Sequence, residues 1–75
     1  MKELIEKFGK NHTDPAVVIF GDKYVDAYGI YTFKGEVFCI NEGMDFPFED
    51  LEKEKQTKII SAIKENKFEI NPAFQ

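Results

Sequence analysis

The sequence predicts a small α+β domain: an N-terminal helix, a four-stranded antiparallel meander, and a C-terminal helix packed on one face of the sheet. Three observations carry that reading. Between Ala16 and Phe48, apolar runs are interrupted by the turn signals Gly21-Asp22, Lys34-Gly35 and Asn41-Glu42-Gly43. Segments with helical apolar spacing lie on either side of that region. The chain, residues 1–75, has room for a single domain, near the size at which one core is only just sufficient. Its 43% hydrophobic and 15% aromatic content is too apolar for a disordered chain of this charge, and eight phenylalanines offer large buried area per residue.

Residues 1–10 form the first helix. Leu4, Ile5 and Phe8 share a side, and Glu3/Lys7 and Glu6/Lys10 are i,i+4 pairs in the favourable order. Gly9 suits the C-terminal cap. A helix this short needs the sheet to hold it. Asn11 to Pro15 is a loop dense in turn formers, with Asp14 driven toward extended backbone by the proline after it.

The meander follows. Two-residue loops at Gly21-Asp22 and Lys34-Gly35 set Val18 opposite Val25, Ala16 opposite Ala27 and Tyr31 opposite Phe38. A three-residue loop at Asn41-Glu42-Gly43, ending on a left-handed glycine, sets Ile40 opposite Met44 and Phe38 opposite Phe46. Opposed residues point to one side. The expected core face is therefore Val18, Phe20, Val25, Ala27, Tyr31, Phe33, Phe38, Ile40, Met44, Phe46 and Phe48. Three turns chosen on local chemistry agree on it. Gly29 marks a candidate bulge, and Pro47, with no N–H to donate, makes the fourth strand an edge.

Asp50 to Glu65 is the second helix, with Asp50 as N-cap and Glu52 and Glu54 in or beside a first turn that favours acids. Leu51, Ile59, Ile60, Ala62 and Ile63 make its apolar stripe, interrupted at Lys55 and Gln56. The stripe is expected to cross the face carrying Phe20, Phe33 and Phe38. Asn66 suits a left-handed cap. Lys67 to Ile70 alternates and admits a short final strand, leaving Asn71 to Gln75 as a tail.

Charge narrows the function classes. The net charge is −4; residues 1–35 carry five lysines against five acids, and residues 36–75 carry five lysines against nine. There is no arginine, the preferred side chain for bidentate phosphate and base recognition, which counts against nucleic-acid reading. A single cysteine builds no disulfide framework, no apolar run approaches the roughly 20 residues of a membrane span, and the N-terminus lacks a signal-peptide core. The expectation is a cytoplasmic protein without a membrane role.

Three features are candidate sites. His12 and Cys39 lack the spacing of a metal set or a nucleophile–base signature. The stretch from Glu36 to Glu54 holds seven acids and one base, Lys53, without the alternation of a calcium loop. It reads as a solvated edge or a dock for a basic partner. The reverse sheet face, with Val17, Ile19, Tyr24, Asp26, Tyr28, Ile30, Thr32, Val37 and Cys39, is too apolar for one open to water. Either the first helix covers it, giving three layers, or another molecule does.

The functional expectation is a non-catalytic acidic interaction module, of accessory or inhibitor type, that binds a protein partner or a second copy of itself. Its surfaces are the reverse face (Tyr24, Tyr28, Ile30) and the acidic edge (Glu42, Asp45, Glu49, Asp50). A nucleic-acid-related role, by aromatic single-strand binding or phosphate mimicry, is the alternative. No catalytic residue, cofactor or metal is expected.

Overall fold

The two helices end on the caps their sequences supply. In the computed structural model, which describes residues 2–74, helix α1 (Lys2–Phe8) stops at Gly9, whose N–H donates to the Ile5 carbonyl (2.7 Å). Met1 and Gln75, the outer ends of the predicted helix and tail, lie outside the described residues. Helix α2 (Lys53–Lys64) closes with left-handed Asn66. The Asn66 N–H reaches Ile63 and the Lys67 N–H reaches Ala62, a paired closure that satisfies the last carbonyls.

Strands β1 (Ala16–Ile19), β2 (Ala27–Phe33), β3 (Glu36–Asn41), β4 (Met44–Pro47) and β5 (Glu69–Ile70) form one antiparallel sheet in the order β4-β3-β2-β1-β5. The short final strand pairs with β1, and Pro47 sits on an edge strand as expected. The Lys34-Gly35 turn forms with positive φ at both residues, and it pairs Tyr31 with Phe38.

The other two turns differ from expectation. Asn41 pairs with Met44, so the loop is the two-residue Glu42-Gly43, with φ of 52° and 78°, and β4 shifts by one place. The β1–β2 connection is no tight hairpin. Val18 faces Tyr28 instead of Val25, and Gly21 does not adopt positive φ. Two aspartates build that loop: Asp22 Oδ1 accepts the Tyr24 and Val25 N–H groups, and Asp26 Oδ2 accepts that of Asp22. Asn41 Nδ2 pins the loop's exit by donating to the Val25 and Ala27 carbonyls.

Each shift moves the pairing by an odd number of residues, so both invert the β2–β3 ribbon relative to its neighbours. Val18 and Phe46 keep their predicted side. Tyr28, Ile30, Thr32, Val37 and Cys39 now join them beneath the helices, while Tyr31, Phe33, Phe38 and Ile40 turn outward. Both helices lie on that one side: Leu4 of α1 and Ile59 and Ile63 of α2 share a core cluster with Val18, Tyr28, Ile30 and Cys39. The domain has two layers, and α1 does not cover a second face. Of the predicted trio beneath α2, Phe20 alone is beside it, packed on Tyr28 with ring centroids 6.2 Å apart.

Counted from N-cap to N-cap, helix α2 begins two residues later than predicted. The chain leaves β4 through a single 3-10 turn, Phe48–Asp50, which drops Phe48 fully into the core. Glu52 rather than Asp50 takes the N-cap position. Gln56, a polar gap in the apolar stripe, is buried there for a reason. Its Nε2 donates to the Glu49 and Leu51 carbonyls and satisfies the corner. Buried Thr32 does the same for the first loop, donating to the Gly9 carbonyl and accepting the His12 N–H, both at 2.8 Å.

Gly29 is not a bulge. It pairs continuously with Val17 and Ile40, and its missing side chain makes room for the C-terminal residues. The expected tail is ordered through Phe74: Asn71 donates to the Pro15 carbonyl and Phe74 to that of Asn71. A Cβ on Gly29 would lie 2.5 Å from the Phe74 ring.

Candidate functional site

The outward sheet face is the candidate site. Alternation along β2 and β3 brings Tyr31, Phe33 and Phe38 to a surface that no helix covers. Ile19 extends it at the β1 end, and between the two ends Val17, Ala27, Gly29 and Ile40 are buried, with Phe74 lying over Gly29. Phe33 is 44% exposed and Ile19 48%, with Tyr31 and Phe38 half-buried beside them. Contiguous exposed apolar surface of this kind is what makes the face a candidate for contact with another molecule.

Polar chemistry enters at the β4 side. Tyr31 stacks on Phe38 (ring centroids 5.2 Å, planes 21° apart) and reaches across β3 to donate its hydroxyl to Asp45 Oδ2 on β4, 2.8 Å away. Partial burial, the hydrogen bond and the Asp45 charge push the Tyr31 phenol up to about 12, so it stays a donor. Phe33 carries the Lys34 ammonium 5.2 Å above its ring. Asp45, Glu36 and Glu69 share the face by register, ringing the aromatics with acid.

The expected site residues part company. Tyr28 (4% exposed) and Ile30 (0%) belong to the core, which removes them from any free surface. Tyr24 stands 73% exposed in the β1–β2 loop. Glu42, Asp45, Glu49 and Asp50 are all exposed, but they run along the β4 edge instead of converging. Glu42 lies in the turn before the strand, Asp45 within it, and Glu49 and Asp50 in the 3-10 turn beyond. Tyr31, Phe33 and Phe38, which sequence reasoning assigned to the core, are the residues it missed here. Their one signal was the odd-numbered slip available at two glycine turns.

Cys39 is completely buried at the middle of the core face, and that burial, followed by the Asp45 charge, pushes its thiol up to about 12. His12 packs against Phe8 (4.9 Å), its backbone clamps Thr32, and its Nδ1 has no partner. Among the described residues no hydrogen bond joins the imidazole to a carboxylate. Among the described residues no group of three His, Cys, Asp or Glu side chains is placed to hold a metal ion, and no helix is long and apolar enough to cross a membrane. Comparison with protein-family models, with curated proteins and with solved structures finds no match to this chain.

Proposed function

We propose that this protein is a small non-catalytic interaction module that docks a protein partner on its open sheet face, with the acid-bearing β4 edge alongside. The observation that carries the reading is the placement of both helices on one side, which leaves Ile19, Tyr31, Phe33 and Phe38 presented on the other. Aromatic side chains in the middle of a patch with charge at its rim are the usual anatomy of a docking surface. Tyr24 and Val25, exposed at the β1–β2 loop, extend the contact.

A different protein suits this face better than a second copy does. Symmetric face-to-face pairing would set Glu36, Asp45 and Glu69 against acids of the same kind, in a chain of net charge −4. Nucleic acid meets the same repulsion.

The test begins with a partner retained at low salt from the native host and then purified for titration. Phe33→Ser and Ile19→Ser, at opposite ends of the face, are each expected to weaken its Kd about tenfold. Lys53→Ala, in the helical layer, leaves the Kd unchanged. Binding that survives both face variants, or that transfers to single-stranded oligonucleotides, overturns the reading.

A further inference from the structure

We infer that the partner's anchor on this face is an arginine, laid over the Tyr31–Phe38 pair with its N–H groups turned to the free Oδ1 of Asp45. The inference rests on the docking role proposed above and names the chemistry that the face selects.

The stacked rings and the carboxylate are joined by one hydrogen bond, so they form a fixed unit instead of three independent side chains. Asp45 spends Oδ2 on the Tyr31 hydroxyl. Among the described residues it makes no ion pair, which leaves Oδ1 and the charge available to a donor. Aromatic rings elsewhere in this molecule already hold cations: Lys34 on Phe33, Lys7 on Phe68 and Lys55 on Tyr28. Among the described residues, Tyr31 and Phe38 hold none. A ring pair and a carboxylate side by side, with no cation of their own, present the two halves of a guanidinium site.

Arginine fits both halves at once. Its planar, weakly hydrated group stacks on aromatic rings while its N–H fork meets a carboxylate edge; a lysine ammonium, compact and strongly hydrated, meets one or the other. Glu36 and Glu69 on the same face add longer-range attraction for a cation. The chain contains no arginine, so a second copy cannot supply the anchor. The occupant must be another molecule.

Backbone NMR of residues 1–75 tests this with two capped hexapeptides, Gly-Leu-Arg-Leu-Arg-Gly and its twin with lysine at both basic positions. The arginine peptide should shift the resonances of Tyr31, Phe38 and Asp45 and bind about fivefold more tightly than its twin. Asp45→Asn should cost about fivefold for the arginine peptide only, whereas Tyr31→Phe, which keeps the ring and the carboxylate but loses the bond that fixes them together, should cost less, about twofold. Equal binding of the two peptides, or indifference to Asp45→Asn, overturns the arginine anchor. If both peptides still shift Phe33 and Ile19 in that event, docking on the face stands. If neither peptide touches the face, and the face variants also leave the purified partner's Kd unchanged, both readings fall.

Discussion

The two faces of this sheet carry comparable apolar material and meet opposite fates. The covered face is built from short or β-branched side chains, Val18, Ile30, Thr32, Val37 and Cys39, with Tyr28 at one end, and all of them are buried. The open face holds the larger aromatics Tyr31, Phe33 and Phe38, which keep part of their surface in water, beside a buried strip of Val17, Ala27 and Ile40 around Gly29. Bulk therefore does not choose the inside. Side chains of even height make a floor on which two helices can lie closely, and gaps in such a floor are felt directly. Of the eight phenylalanines, Phe48 alone is fully buried, and it enters from the 3-10 turn, not from a strand.

The sharpest way to break that comparison is to remove one aromatic from each side. Phe48→Ala leaves a cavity beneath α2 and should cost about 3–5 kcal/mol in urea unfolding. Phe33→Ala strips a ring already half in water and should cost about 1 kcal/mol or less. Equal losses would mean that the open face is covered after all.

Alkaline titration probes the covered face at one atom. The Cys39 thiol, held at about 12 in the fold, has an unfolded value of about 8.5. Below the unfolded value both states keep the proton and the group is neutral to stability. Above it the unfolded chain releases the proton first, so stability falls between about pH 9 and 12, at most by about 1.4 kcal/mol per pH unit. Cys39→Ala should flatten the profile in that window relative to wild type. The native thiol should also react with a disulfide reagent at pH 8 only as fast as the protein opens. Prompt reaction, or an unchanged alkaline slope in the variant, would place Cys39 at the surface.

Where the open face is partly closed, the closure depends on an absent side chain. Gly29→Ala puts a methyl group into the Phe74 ring and close to Pro15 Cβ (3.2 Å), which should cost about 1–3 kcal/mol. In the double variant with Phe74→Ala the two losses should not add, because the clash disappears with the ring. Full additivity would detach the C-terminal residues from the sheet.

Much of the architecture was legible because it rests on local signals. Gly9 and Asn66 as caps, Lys34-Gly35 as a turn and Pro47 on an edge all depend on conformations few other residues adopt. Choice of face was not legible, since both parities of β2 and β3 read as apolar and alternation decides only when one side is polar. The errors at the two flanking turns each inverted the central ribbon, so they agreed with one another and produced a false consistency. In the site, Asp45 was visible as an exposed acid. The hydroxyl that binds it comes from two strands away, a proximity only the register supplies.

The smallest effect is also the most pointed, because it tests that register. In the observed two-residue turn Glu42 has φ of 52°, a left-handed conformation that asparagine tolerates and glutamate does not favour. Glu42→Asn should therefore stabilise the protein by about 0.5–1 kcal/mol. Glu42→Gln removes the same charge without that tolerance and should stay within about 0.5 kcal/mol of wild type. In the three-residue alternative, with Ile40 opposite Met44, only Gly43 would be left-handed and Glu42 would sit at ordinary φ, so asparagine would gain nothing over glutamine. A gain specific to asparagine thus fixes Asn41 against Met44 and turns Cys39 inward with Phe46. Phe38 then faces out, beside the one carboxylate it shares with Tyr31.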